Sequence, residues 1–220
     1  MISVTGATEW LVRTKVAPED VLYKHITYFN QASSVYAAFG DSHVARGYDA
    51  TSPVVNLGYP SENIEKMAWK AAQYLKRIPN PEAVLIQADP HLFADYRMGA
   101  GLEGYPTLFA EDKQSPLLSI TPYYRPQVGA LWKAFLHNGG KLKSKIEFTE
   151  QGSLLSPGNL SAWTAPEINA FLSARTSLHK PAPDFGTSRD ARLYKSMIEN
   201  FIAAGTNICL VAFPVSPAYR

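Results

Sequence analysis

A doubly wound parallel α/β sheet, flavodoxin-like in strand order and layered α/β/α, is the fold this sequence predicts. Three observations predict it: four short apolar runs suited to strands, amphipathic stretches between them, and glycine or proline closing most runs. Parallel neighbours need crossover connections, which helices usually supply. Residues 35–40 (VYAAFG) are too short for a helix and suit a buried strand that stops at Asp41. Residues 53–57 (PVVNL) are the second such run, and Gly58, Tyr59 and Pro60 punctuate the turn behind it. From Ser61 the period changes. Ser61 can cap, and Ile64, Met67, Ala68, Ala71, Ala72 and Leu75 recur at three- and four-residue steps until Pro79, which predicts a helix opening at Ser61. Residues 83–87 (AVLIQ) form the third strand. Residues 207–213 (NICLVAF) form the fourth, behind an amphipathic helix over 189–204 that Gly205 closes.

Residues 88–206 are too many for one crossover, so an insertion over about 98–188 is expected between the third and fourth strands. Its first part, 98–126, reads as irregular loop, and 127–138 (QVGALWKAFLHN) as a helix ended by Gly139 and Gly140. A hairpin is the one strand feature expected over 141–161, and a second helix over 165–174 carries Pro166 in its first turn. Set against roughly 150 residues per domain, the 220 residues predict one domain carrying that insertion. Seven residues follow Phe213, too few for a fifth strand. The run 214–219 (PVSPAY) reads as a loop leading onward, so a native polypeptide that continues past Arg220 is expected.

Composition excludes several classes. Hydrophobic residues at 46% can fill a core, and charged residues at 18% fall below the roughly 25% usual for soluble chains, which excludes disorder and coiled-coil rods. With 21 basic against 19 acidic residues and no basic stripe, nucleic acid is not an expected partner. Cys209 stands alone, so neither an internal disulfide nor a thiolate metal site is possible. The longest apolar run, 208–215, is far short of the roughly 20 residues that span a bilayer, and the first residues lack the basic start and apolar block of a signal peptide. The chain as written therefore reads as soluble. No His, Asp or Glu set repeats at metal-ligand spacing and no phosphate-cradling glycine loop is present, so neither metal nor cofactor is expected.

In an open parallel sheet the functional groups gather beyond the carboxyl ends of the strands. The first strand ends in Gly40, Asp41, Ser42 and His43, the second in Asn56, Leu57 and Gly58, the third in Gln87, Ala88, Asp89, Pro90 and His91. A serine at a sharp strand-to-helix turn exposes its hydroxyl and aims its own amide at the helix start, where a developing oxyanion is favoured. Gly58 offers a second backbone amide, since only glycine lets the chain approach an acyl group so closely. The first and third strands should be neighbours, which makes His91 the best-placed base for Ser42 and Asp89 the acid to orient it. Asp41, His43, Asn56, Tyr96 and Arg97 complete the expected substrate contacts. The plainer reading is that Gly-Asp-Ser is a helix start with Asp or Ser as cap. His25, His137 and His179 have no acid converging on them, and Trp69 and Tyr74 read as packing residues.

The order of these blocks resembles the SGNH (GDSL-type) hydrolase superfamily. Gly40, Asp41 and Ser42 match its first block, and Asn56 with Gly58 its second. The phrase as a whole is similar to the branch that modifies cell-envelope polymers by D-alanyl transfer or exopolysaccharide O-acetylation. That resemblance implies a serine-dependent esterase or acyltransferase with Ser42 as nucleophile and the Ser42 and Gly58 amides as oxyanion donors. It implies acylated small molecules or polysaccharide as substrate, membrane-bound acyltransferase machinery as partner, and work at the cell envelope or periplasm. Two blocks depart from the pattern. The third usually offers an asparagine where this chain has Asp89, Pro90 and His91, and the Asp-x-x-His block that supplies the base after a fifth strand is missing. The competing expectation is therefore a catalytically degenerate relative that binds or scaffolds glycan without turning it over.

Overall fold

The structure is a computed structural model that describes residues 21–48, 53–102, 147–149, 151–155 and 164–213, with single positions at 7, 10, 14 and 106. The chain divides into two compact units. One comprises residues 1–31 and 104–147; in it, helix α1 (Val21–Gln31) buries His25, Ile26 and Phe29 along one face. The helix expected over 127–138 lies outside the described residues.

The other unit, residues 32–103 and 148–220, holds the sheet. It begins with β1 (Tyr36–Phe39), the short helix α2 (Ser42–Gly47) and β2 (Val55–Asn56). Helix α3 (Ile64–Arg77) and β3 (Ala83–Gln87) follow. A two-stranded ladder, β4 (Glu147–Phe148) and β5 (Leu154–Leu155), falls inside the segment expected to hold a hairpin. Helix α4 (Ala165–Leu178), helix α5 (Arg189–Ala203) and β6 (Asn207–Val211) complete it. The order is β2-β1-β3-β6, all parallel, with flanking helices: an α/β fold with the predicted succession of strands.

Each boundary has a local cause. Asn63, not Ser61, caps α3, its side chain accepting from the Lys66 amide at 2.8 Å. Ser61 instead takes φ 62°, turning the chain sharply two residues before that cap. Thr164 and Glu167 close a capping box ahead of Pro166, and α4 runs four residues past the predicted end. Ser188 caps α5 through the Ala191 amide, and Gly205 at φ 73° ends that stretch.

The core lies where α3 and α5 pack against each other over β1. Phe39 meets Tyr74 edge-on at 5.5 Å and Phe201 at 5.6 Å, all three fully buried, so Tyr74 is the packing residue expected. One cation shares that core. Lys70 lies on the buried stripe of α3 between Met67 and Tyr74, and its ammonium is 2.8 Å from the Glu62 carboxylate, both side chains sealed from water. Burial pulls the Lys70 ammonium below the usual lysine range, with Glu62 opposing. Its Nζ also donates to the Leu57 carbonyl, tying α3 to the loop behind β2.

Register fixes what meets at the carboxyl edge. Phe39 pairs with Ile86, and Gln87 with Val211, so residues 40–43, 57–59, 88–91 and 212–213 emerge side by side. Among the described residues no helix is long and apolar enough to cross a membrane.

Candidate functional site

The edge is tied together by Gln87, fully buried at the end of β3. Its Oε1 accepts the Asp41 amide at 2.7 Å and its Nε2 donates to Asp89 Oδ2 at 2.7 Å, so one side chain fixes the exits of both central strands. Gly40 permits this closeness, because a Cβ there would overlap both Val44 and Gln87. From the other side, the Tyr194 hydroxyl of α5 donates to the Gln87 carbonyl at 2.6 Å.

Asp41 then caps α2, accepting the His43 amide on Oδ1 at 2.9 Å. Ser42 opens the helix, partly buried. Among the described residues nothing hydrogen-bonds its hydroxyl or its amide.

Two imidazole–carboxylate pairs flank this turn. His43 Nδ1 lies 2.8 Å from Asp89 Oδ2, the imidazole side chain 30% exposed and the carboxylate 5%. Asp89 also accepts the Phe213 amide on Oδ1 at 2.8 Å. His91 Nε2 lies 2.8 Å from Asp41 Oδ2, and the Arg97 guanidinium reaches the same oxygen at 2.7 Å. The rings form a column: Phe213 on His43 at 6.0 Å, His43 on His91 at 4.4 Å, His91 on His179 at 5.1 Å, His179 on Tyr96 at 5.8 Å.

Electrostatics follow the pairing. The hydrogen bond to Asp89 raises the His43 pKa above the ordinary imidazole value, against partial burial. Burial alone would raise Asp41, but the His91 hydrogen bond, Arg97 and the His43 amide outweigh it and hold the carboxyl well below the usual range. Burial is likewise outweighed at Asp89, by His43, the Phe213 amide and Gln87. Burial, with His91 and Arg175 nearby, pushes His179 down to about 4.

A carboxyl whose folded pKa lies below its unfolded value adds stability above the unfolded pKa, about 3.9, and loses it as pH falls. The Asp41→Asn protein is therefore expected to be less stable at about pH 6 and to lose less than the wild type between about pH 6 and about pH 3. Urea unfolding at both pH values checks this, and parallel losses would refute it.

Several sequence expectations are corrected by this geometry. Asp89 holds His43, and His91 is held instead by Asp41, so the expected Ser42, His91, Asp89 succession is not the arrangement formed. The Gly58 amide is engaged by Asn56 Oδ1 at 3.0 Å, which removes it as an oxyanion donor. Gly58 is required for another reason: a Cβ would come within 2.8 Å of the Ala45 amide nitrogen, so glycine lets the loop lie on α2. Asn56 is fully buried, donating to Val44 O at 2.8 Å and Tyr48 O at 3.2 Å, and braces α2 rather than meeting a ligand. Asp41 is sealed beneath the turn. Arg97, 8% exposed, is an internal pillar bonded to Asp41, to the Glu62 carbonyl at 2.9 Å and to the Tyr96 hydroxyl at 2.7 Å. His43 and Tyr96 keep solvent-facing surface.

Sequence reasoning gave Gln87, His179, Phe213 and Lys70 no role at this edge. Lys70 carries a readable signal, a lysine on the apolar stripe of an amphipathic helix. For His179 no local signal exists, because the helix that delivers it is far from the other rings in sequence. No family profile, curated protein sequence or solved structure matches this chain.

Proposed function

We propose that the chain is a serine-dependent acyl-ester hydrolase or acyltransferase, with Ser42 as nucleophile and His43 as the proton carrier. One observation carries the reading: a hydroxyl at the β1–α2 elbow that is unpartnered among the described residues, next in the chain to a partly exposed imidazole whose Nδ1 is anchored by a carboxylate. With Asp89 accepting the Nδ1 proton, the lone pair of the neutral ring sits on Nε2, the tautomer a general base requires.

In the reaction, Ser42 Oγ attacks the acyl carbonyl and its proton passes to His43, directly or through one water. The Ser42 amide, unpartnered among the described residues, is available to the oxyanion of the tetrahedral intermediate. Collapse expels the alcohol, which takes the proton from His43 and leaves an acyl-serine. Water or a sugar hydroxyl then gives its proton to His43 and attacks the acyl-serine. The second collapse returns that proton to Ser42 and releases acid or new ester. His91, buried against His43 and held by Asp41, keeps the reacting ring in place.

The SGNH-like block order supports this chemistry, and with it acylated small molecules or envelope polysaccharide as substrate. Partnership with membrane-bound acyltransferase machinery and work at the cell envelope rest on that resemblance alone. The Tyr96 ring, 44% exposed, is stacked on His179 with the Arg97 guanidinium carbon 5.3 Å from its centroid, so a sugar would meet what remains of its exposed surface.

A fluorophosphonate probe is expected to label the folded chain, with peptide mapping locating the adduct on Ser42. No adduct, or one elsewhere, refutes the reading and favours a domain that retains glycan without turning it over.

A further inference from the structure

We propose that Asp41, His43 and His91 form a binding site for one divalent transition-metal ion of the zinc class. This inference does not depend on the acyl-transfer reading, but both draw on the Nε2 lone pair of His43, so an ion bound here would silence that base.

One ligand atom from each of the three residues lies within 4.8 Å of the others. The histidine supply is concentrated here: of five in the chain, His43, His91 and His179 share one ring column. Sequence spacing gave no sign of it, because the residues arrive on two loops that only the β1–β3 register brings together.

The donor set selects the ion. Two imidazole nitrogens and one carboxylate oxygen suit zinc, cobalt and nickel rather than magnesium or calcium, which prefer all-oxygen shells. Three protein ligands leave a fourth position open. His43 already has the support that such ligands carry: Asp89 on Nδ1 fixes the ring and leaves Nε2 as the free lone pair. At His91 the ion would replace a proton. Nε2 now shares that proton with Asp41; on binding, it moves to the other ring nitrogen or to solvent, and nitrogen and carboxylate both turn to the metal.

Two costs oppose binding. Metal–ligand bonds of about 2.0–2.1 Å place tetrahedral ligands about 3.3 Å apart, so His91 Nε2 and Asp41 Oδ2, now 2.8 Å apart, must open slightly while the widest separation, at most 4.8 Å, closes by up to about 1.5 Å, and the partly exposed His43 is the one free to turn. Arg97 also stays 2.7 Å from Asp41, a cation beside the incoming cation. Against this, the cluster holds two carboxylates, Asp41 and Asp89, to one guanidinium, so the fixed charge is net negative before the ion enters.

The full 220-residue chain, stripped with EDTA, is titrated with cobalt chloride and followed by visible absorption, then challenged with zinc chloride. One cobalt per chain is expected, with ligand-field bands that zinc abolishes. His43→Ala and His91→Ala should each weaken binding at least tenfold, and Asp89→Asn by about 10–100-fold. His43 is partly exposed, so its variant keeps the test decisive even where His91→Ala fails to fold. Ser42→Ala, which ends acyl transfer if that reading holds, should bind cobalt as the wild type does. Folded wild type without cobalt bands, or cobalt bound undiminished by His43→Ala, overturns the site.

Discussion

Under the proposed acyl-transfer reading, Ser42→Ala is expected to lower kcat/KM toward a chromogenic acyl ester by about 10⁴-fold or more while leaving the unfolding midpoint within experimental scatter. The hydroxyl bonds nothing among the described residues, so its removal costs the fold little, whereas under the proposed reading it removes the group that carries the acyl intermediate. His43→Gln should cost about 10²–10⁴-fold, the usual worth of a positioned base. Asp89→Asn should fall in kcat rather than rise in KM, because Asp89 acts through His43 and positions it. A Ser42→Ala protein within tenfold of the wild type removes the nucleophile from the mechanism.

Lys70→Ala is expected to destabilise the chain by about 3–5 kcal/mol, the cost of leaving a buried charge without its partner. Glu62 would remain sealed in the core with no ammonium, and the Leu57 carbonyl would lose its donor. The consequence reaches the site along a physical route. Glu62 sits on the loop whose carbonyl receives Arg97, and Arg97 holds Asp41, the cap of the turn that carries Ser42. Reduced activity per folded molecule should therefore accompany reduced stability. The double variant Glu62→Leu with Lys70→Met removes both charges and should recover most of the stability, since apolar replacement of a buried pair is often neutral or better. Chemical denaturation of the wild type, the single and the double variant checks this. A double variant no more stable than Lys70→Ala would mean that the ion pair is not what holds the loop.

Much of the fold was legible because its signals are local. The run 83–87 became β3 without a change of boundary, the fourth strand ran 207–211 rather than 207–213, and glycine or a side-chain cap marked the ends. The start of α3 was misread because Ser61 and Asn63 are both competent caps, and the choice depended on a backbone turn with φ 62° at Ser61. The blocks bearing Ser42, Asn56 and His91 could be found by their positions after strands, yet two of their roles could not. Asn56 and Gly58 turned inward onto α2, a packing demand set by Val44 and Ala45.

The sequence by itself determined the succession of the four strands of the sheet, helices α3, α4 and α5, and the residues that end the first three strands, since hydrophobic period and turn chemistry act within a few residues of chain. Helix α1 (Val21–Gln31) was not read from it. Only the tertiary structure decided which acid meets which ring: Asp89 with His43 across 46 positions, Asp41 with His91 across 50. The β1–β3 register, with Gln87 bridging the two exits, brings those loops together. That alignment depends on how side chains fill a shared core, which no stretch of either segment encodes alone.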